Sequence, residues 1–412
     1  MMRKSSNGLV AAQGLSIAIY MPDLTGGGAE RQCLCLAGEM HRRGLAITLI
    51  LHRAEGELIH ELPAGLRVVA LNGRRTLHDI ILLARYLRRE KPDILLTNLD
   101  HNNVAGLLAK IIAVSRTQVV IYQHNALAGQ FAAAERWSYR AIPLAYRALS
   151  PFMAAAVAVS KGIAQELTAA RVPASKVVTI HNAIIKSDFR ARADDEIELP
   201  WADAQTEPLL VTAGRLVPQK DHETLIRALA IHRSSGGQGR LAVLGSGPLL
   251  EPLQKLASDL NLGSAVAFVG YQANPLPWFL RADAFVLSSC SEGFGNVLVE
   301  AMGCGTPVIS TDCDHGPREI LQDGRYGVLV RVRDPMALAG AFDQLDTLRT
   351  RFPVELLKAR AAAFTDDACA DAFLSLFEKL TLRRHSAQSV SPDPGPSPLM
   401  AAQARQPGQQ VS

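Results

Sequence analysis

The fold is indicated by residues 15–51, LSIAIYMPDLTGGGAERQCLCLAGEMHRRGLAITLIL. A β-rich run at 15–20 leads into the glycine-rich turn 26–28, and a helical stretch follows at 29–43. The apolar positions predicted to face the core of that helix are Leu34, Leu36, Ala37 and Met40. A second strand is predicted at 46–51. Strand, helix and strand in this order form the unit from which parallel α/β sheets are built.

The same alternation continues on both sides of one polar segment. Further strands are predicted before it at 66–70, 93–97, 117–122, 155–159 and 176–180. Strands are predicted after it at 208–213, 240–244, 265–269, 283–287, 306–309 and 327–330. The segment itself, 186–206, is acidic and contains proline, which is typical of a linker. We therefore predict an α/β protein with two Rossmann-like, doubly wound parallel-sheet domains, at 15–185 and 207–365.

The composition limits the class of protein. The chain has 412 residues, of which 48% are hydrophobic and 20% charged, so most of it is expected to fold. Residues 1–14 are predicted to be flexible, and 386–412, rich in Ser, Pro, Gln and Gly, are predicted to be disordered. The longest apolar runs, such as 153–159, fall short of the ~20 residues that a membrane-spanning helix needs.

Cysteine usage and the N-terminus indicate a cytoplasmic protein. The six cysteines are scattered in apolar runs without Cys-x-x-Cys spacing, so they are predicted to be reduced and mostly buried. The N-terminus has a basic start but no apolar segment of the kind found in a signal peptide.

The charge is unevenly distributed along the chain. Residues 1–185 contain 21 Lys and Arg against 12 Asp and Glu, whereas 186–385 contain 21 against 26. A basic first half favours an anionic partner: a lipid surface, a polyprenyl diphosphate or a nucleic acid. The cations are spread rather than clustered and no nucleic-acid signature accompanies them, so nucleic acid ranks last.

One helical segment, 131–149, combines aromatic and basic residues and is interrupted by Pro143. These residues are Arg136, Trp137, Tyr139, Arg140, Tyr146 and Arg147. Such a helix can dock at the interface of the inner face of the cytoplasmic membrane. It can equally be a domain helix with a solvated basic face.

The strongest motif is EGFGNVLVE at 292–300. Its two glycines permit a sharp turn and close approach of a ligand to the backbone. A helix is predicted to start near Asn296, with free N–H groups suited to phosphate. Glu300 follows one turn later among apolar residues, where a carboxylate needs hydrogen-bond donors such as sugar hydroxyls. The alternative is one turn glutamate and one solvated helix glutamate.

Two more segments follow predicted strands directly. Arg215 and Lys220 emerge after 208–213, at the carboxyl end of a parallel strand, where open α/β sheets bind ligands. A guanidinium fork and an ammonium group suit a diphosphate, although ordinary surface cations are the alternative. The turns at Gly245 and at Gly27 and Gly28 can admit a phosphate or sugar, or can be plain tight turns.

Taken in order, these motifs resemble the retaining, nucleotide-sugar-dependent glycosyltransferases of the GT-B fold, family 4. The resemblance covers roughly residues 15–380 and is close for 208–330. The stretch DCDHGPREIL at 312–321 is similar to members that build bacterial surface polysaccharides and lipid-linked oligosaccharides. The resemblance implies two domains facing a cleft, with the acceptor in the first, the nucleotide sugar in the second, and a helix at 366–383 crossing back to the first.

The resemblance also implies roles for individual residues. Glu292 contacts donor-sugar hydroxyls, Glu300 binds the ribose, and Arg215 and Lys220 neutralise the diphosphate. His124 matches the family histidine near the reacting sugar, although a lone histidine after a strand is often structural. Backbone contacts to the donor are implied for Gly27, Gly28, Gly245, Gly270, Gly293, Phe294, Gly295, Asn296 and Val297.

The implied activity is transfer of a sugar, with retention of configuration, from a UDP-sugar to a lipid-linked or polysaccharide acceptor. No cofactor or metal is expected, because the acidic and histidine residues at 312–315 lie in a Gly/Pro loop. Arg215→Ala and Lys220→Ala are predicted to lower turnover and leave the fold intact. A sugar-nucleotide epimerase of the same fold and a non-catalytic nucleotide-sugar-binding scaffold remain as alternatives.

Overall fold

The computed structural model describes residues 14–25, 27–73, 76–127, 141–201 and 207–389. Within these ranges every predicted strand is present, to within two residues at each end. The strands form one parallel sheet of seven and one of six, which confirms the prediction of two α/β domains. The predicted buried positions of the first helix are also confirmed, since Leu34, Leu36, Ala37 and Met40 are all buried.

The first sheet has the order β3-β2-β1-β4-β5-β6-β7. Its strands are β1 Ser16–Met21, β2 Ala46–Leu51, β3 Arg67–Ala70, β4 Ile94–Asn98, β5 Gln118–Gln123, β6 Met153–Ala158 and β7 Val177–Thr179. The helices of this half are α1 Gly28–Arg42, α2 Thr76–Glu90, α3 Asp100–Ala113, α4 Ile142–Leu149 and α5 Lys161–Ala169.

The second sheet has the order β10-β9-β8-β11-β12-β13. Its strands are β8 Leu209–Ala213, β9 Arg240–Leu244, β10 Val266–Gly270, β11 Ala284–Leu287, β12 Val308–Thr311 and β13 Val328–Val330. The remaining helices are α6 Phe189–Ala193, α7 His222–Ser234, α8 Leu250–Asp259, α9 Leu276–Arg281, α10 Asn296–Cys304, α11 Pro317–Leu321, α12 Pro335–Phe342, α13 Leu345–Arg351, α14 Val354–Ala361 and α15 Asp366–Ser389.

The strand order places the ligand crevice of each domain. In the first sheet the order reverses between β1 and β4, and in the second between β8 and β11. Ligands bind at such switch points, outside the carboxyl ends of the strands. The glycine-rich turn after β1 and the Gly-Arg segment after β8 both leave the sheets at these points. The central strands β4, β8 and β11 are buried along their whole length, which suits sheets covered on both faces.

The segment predicted as a linker contains a short helix, α6. Phe189 and Ala193, four residues apart, form its buried face. Gly303 of α10 makes room for it, because a Cβ there would lie 2.8 Å from the Phe189 ring. The Asn274 side chain also donates a 2.7 Å hydrogen bond to the Arg192 carbonyl. The segment is therefore held against the second domain before the undescribed residues 202–206.

One prediction about a helix boundary is wrong. The last helix, predicted to end at 383 before a disordered tail from 386, continues to Ser389, because no glycine or proline interrupts it before Pro392. Of the helix predicted at 131–149, residues 142–149 are described and form α4, which has Pro143 in its first turn, where the missing N–H removes no helical bond. The predictions for residues 1–13, 128–140 and 390–412 lie outside the described residues.

The chain crosses between the two halves at two adjacent places. The amides of Ile184 and Ile185 both donate to the Phe364 carbonyl, at 2.9 and 3.0 Å. Helix α15 then packs on α1 of the first half. Arg43, at the end of α1, pairs with Asp367 and Asp371 of α15 at 2.8 and 2.6 Å.

Candidate active site

An ion pair at the edge of the second sheet joins two predicted site residues. Lys220 ends a short 3-10 turn after β8, and Glu292 lies in the loop after β11, the neighbouring strand. The Lys220 ammonium lies 2.5 Å from Glu292 Oε1, and the glutamate is buried. Ser289 donates a second hydrogen bond of 2.6 Å to the same oxygen. This serine was not predicted from the sequence; only its position three residues before Glu292 could have indicated it.

Glycines let the loops after β8 and β9 lie against each other. A Cβ at Gly245 would be 1.9 Å from the Gly214 carbonyl oxygen, and one at Gly247 would be 2.6 Å from that of Leu216. Gly245 also has φ of +142°, a backbone conformation that other residues rarely adopt. The two glycines are therefore needed to place the Gly-Arg segment.

Arg215 is exposed at the same edge. Its charge acts on Glu30 in the first turn of α1, across the crevice, although burial of that carboxyl has the larger effect and raises its pKa. Gly27 caps α1, and a Cβ there would collide with the Glu30 carboxylate, whereas a Cβ at Gly28 would meet open space. The glycine-rich turn thus faces the loop that carries Arg215.

The Glu292 loop touches the first domain directly. A Cβ at Gly293 would lie 1.9 Å from the His124 carbonyl oxygen, so only glycine permits this approach. Gly295, with φ of +98°, turns the chain into α10, which begins at Asn296 as predicted. The Asn296 side chain accepts a 2.8 Å hydrogen bond from Asn182, which in turn accepts one from the Tyr122 hydroxyl. Val297 follows in the first turn of α10 and is partly buried.

His124 follows β5 and is buried beside Tyr122. Burial lowers the pKa of its imidazole to about 3, so the ring is neutral at physiological pH. Its Nε2 is buried and has no hydrogen-bond partner among the described residues. A neutral ring with an unsatisfied nitrogen can exchange a hydrogen bond with a sugar hydroxyl but carries no positive charge for a leaving group.

Glu300 lines a separate cavity of about 180 Å³ between the two halves. Burial raises the pKa of its carboxyl, and the charges of Arg192, Arg31 and Lys186 act in the opposite direction. Arg31 closes the cavity by donating a 3.1 Å hydrogen bond to the Tyr271 hydroxyl across the crevice. Gly270, with φ of +82°, ends β10 beside Tyr271, and its carbonyl accepts from the Gly245 amide.

Two of the three candidate metal ligands at 312–315, Asp312 and His315, are paired with other residues. Asp312 pairs with Arg318, and His315 pairs with Glu166 of the first domain. The part of the chain that the structure describes contains no group of three or more His, Cys, Asp or Glu placed to hold a metal ion. None of the described helices is long and apolar enough to cross a membrane.

Two family profiles match the chain. "Glycosyltransferase Family 4" matches residues 26–187, and "Glycosyl transferases group 1" matches residues 194–355. Together they cover the second sheet, the first sheet apart from β1, and the Glu292 loop.

Curated relatives match over part of their length. A lipopolysaccharide core biosynthesis glycosyltransferase, LpsE of Rhizobium meliloti, is 37% identical over 41% of this chain and 49% of the relative. A Campylobacter jejuni protein named as a 4-alpha-N-acetylgalactosaminyltransferase of a diphospho-undecaprenol-linked sugar is 31% identical over 46% of this chain and 50% of the relative. The chain thus spans about half the length of these relatives.

Solved structures show the same fold. Anabaena HepE, in complex with UDP-glucose, superimposes with a TM-score of 0.70 at 20% identity, over 90% of this chain and all of that one. At this identity the likeness concerns the fold and not the ligand.

Proposed function

Because this chain belongs to the family 4 glycosyltransferases of the GT-B fold, we propose that it transfers a sugar from a nucleoside-diphosphate sugar to a glycan or polyprenyl-diphosphate-linked acceptor. The observation that carries the proposal is the Lys220–Glu292 pair beside the N-terminus of α10. It places a cation, a carboxylate and a helix N-terminus at one switch point.

In this proposal the leaving diphosphate is stabilised by charge. Arg215, Lys220 and the first amides of α10 oppose the negative charge that develops as the bond to the sugar breaks. Glu292 and the amides of Gly293, Phe294 and Gly295 bind the sugar, and His124 meets it from the first domain. Glu300 binds the ribose in the Arg31–Tyr271 cavity. Arg215, Lys220 and the first amides of α10 supply the positive charge that the leaving diphosphate needs, so we expect transfer to need no metal.

In more detail, we propose that the donor is a UDP-sugar. Its sugar is transferred with retention of configuration in the synthesis of a surface glycan. The support is the relatives that act in lipopolysaccharide synthesis and on a lipid-linked acceptor, together with the UDP-glucose complex of a structural neighbour.

Thermal unfolding with UDP, GDP or ADP, each with EDTA, tests the donor. UDP at 100 times its dissociation constant should raise the free energy of unfolding by ~2.7 kcal/mol. Glu300→Gln should reduce this gain, whereas Glu355→Gln, an exposed glutamate on α14, should not. Stabilisation by GDP or ADP but not UDP would contradict the uridine donor.

An assay of donor turnover with and without acceptor separates the alternatives. Conversion of the donor without an acceptor would favour an epimerase, and no turnover of any donor would favour a binding protein.

We also propose that the basic first domain docks peripherally on an anionic membrane. On α4, Leu144 is 68% exposed and Arg147 is exposed in the next turn. Cations near an anionic surface contribute ~1 kcal/mol each and are screened by salt. Vesicle flotation should therefore show salt-sensitive binding to anionic lipid that is weakened by reversing Arg136, Arg140 and Arg147. Equal recovery with neutral lipid would contradict docking, and a matched reversal of exposed arginines of the second half should have no effect: Arg325, Arg331 and Arg349.

A further inference from the structure

Two histidine–carboxylate pairs join the two halves of the molecule. His181, after β7, lies 2.7 Å from Glu319 of α11, measured between Nε2 and Oε1. His315, in the loop before α11, lies 3.0 Å from Glu166 of α5, measured between the same atoms. Each half contributes one histidine and one glutamate. The pairs therefore attract the halves to each other without depending on the net charge of either domain.

Both pairs adjoin the Glu292 loop. The His181 ring stacks on Phe294, with centroids 5.2 Å apart, and Glu319 also accepts a 2.8 Å hydrogen bond from the Lys161 amide. A Cβ at Gly162 would lie 2.0 Å from His315 Nδ1, so a side chain there would displace the second histidine. Because Phe294 lies between Gly293 and Gly295, a movement at His181 is transmitted to the turn that carries Glu292.

We propose that His181 and Glu166 are positioning residues, which hold the Glu292 loop in its closed arrangement through these two pairs, and that the loop is released as His315 loses its proton. The inference rests on the proposed function for its consequence in catalysis. The interdomain contact itself is argued from the two pairs and is independent of that function.

The charges around the second pair favour a protonated His315 in the closed arrangement. The hydrogen bond with Glu166 raises the pKa of His315 against the effect of burial, and the neighbouring Asp314 acts in the same direction. Burial opposes ionisation of Glu319, but bonds from His181 and the Lys161 amide lower the pKa of that carboxyl overall. Other described groups that face the pairs include the Lys161 charge near Glu319, the Leu127 amide on Glu166, the Phe364 ring on His181, and the Arg360 guanidinium on the carbonyls of Glu319 and Ile320.

The sign of the pH dependence follows from the raised pKa of His315. A histidine whose pKa is higher in the closed arrangement stabilises it below the pKa of the open one. That contribution is lost as the pH rises through the raised value. Closure should therefore be favoured at pH 6 and weakened at pH 8.5.

Small-angle X-ray scattering of the full chain without nucleotide tests the contact directly. The wild-type radius of gyration should increase from pH 6 to pH 8.5, and H181Q/H315Q should show one value at both pH values. E166Q/H315Q, which keeps a carbonyl oxygen for the Leu127 amide, should behave in the same way. His60→Gln, an exposed histidine of the first half, should retain the wild-type change. A wild-type radius that does not change, or variants that keep the change, would overturn the proposal.

Calorimetric titration with UDP tests the consequence for the donor. Wild type should bind UDP more tightly at pH 6 than at pH 8.5, because the pKa of His315 is raised in the closed arrangement, and both double variants should lose this preference. A pH dependence that survives in both variants would refute the positioning role. If UDP does not bind at any pH, the proposed uridine donor fails, and the scattering result still decides the interdomain contact.

Discussion

Removing the Lys220 charge should lower both the stability of the fold and the turnover of the enzyme. The lysine side chain is 20% exposed and that of Glu292 is 9% exposed, so each charge is largely shielded from water and is stabilised by the other. Deleting one partner of a buried pair costs ~3–5 kcal/mol, and the partial exposure of Lys220 places the cost near ~3 kcal/mol. This changes the expectation from the sequence, which was that the fold would stay intact.

The perturbation is Lys220→Met, which keeps the aliphatic stem and removes the charge. Urea unfolding should show the loss of ~3 kcal/mol, and turnover at saturating donor should fall by about 10²–10³-fold because a diphosphate contact is lost. The double variant K220M/E292Q should recover most of the stability, since the neutral amide can still accept from Ser289, but it should recover no turnover.

Arg215→Ala is the matched control. This arginine is exposed, so its loss should change stability by less than ~0.5 kcal/mol while turnover falls. The reasoning fails if K220M is as stable as wild type, or if the double variant remains as unstable as K220M. Near-normal turnover in both the Lys220 and the Arg215 variants would remove the diphosphate role.

Two further predictions concern the contact at His124 and the stability in acid. Gly293→Ala should lower kcat/KM by about 10²-fold, because the added Cβ would meet the His124 carbonyl and displace the reacting groups. Gly340→Ala, where a Cβ meets open space, should leave kcat/KM unchanged. Equal kinetics for the two variants would contradict the contact. Burial lowers the pKa of His124 to about 3 and that of His222 to about 4, so each should remove ~1.4 kcal/mol of stability per pH unit as the pH falls below ~6.5. Urea unfolding at pH 6.5 and 4.5 should show a smaller loss in His222→Phe, and an identical loss would contradict this assignment.

The sheets could be predicted because their signal is local. A buried parallel strand is a short apolar run, and the helices between the strands repeat their apolar positions every three or four residues. The N-terminus of α10 was predicted for the same reason, since Gly295 and the apolar run after it are adjacent in sequence. The linker helix α6 was missed because only two of its five residues are buried, a pattern too short to show a period.

The interdomain contacts could not be predicted from one sequence. The partners in the two histidine–carboxylate pairs are 138 and 149 residues apart, and neither segment has a spacing that points to the other. Asn182 and Arg31 were missed for the same reason, because their partners Asn296 and Tyr271 belong to the other half. For Glu292 the sequence motif indicated a site residue, but the partner that neutralises it, Lys220, follows only from the pairing of β8 with β11.

The return of α15 to the first half affects the order in which the protein can fold during synthesis. Phe373 and Phe377 of this helix are fully buried, and Phe373 meets the Tyr122 ring edge-on at 5.1 Å. The ribosome makes Tyr122 some 250 residues before Phe373. Until then the surface around α1 and Tyr122 is not covered by α15 and is accessible to chaperones and to other nascent chains. The first domain is thus translated first but completed last, and its final packing step must wait for the second domain to emerge.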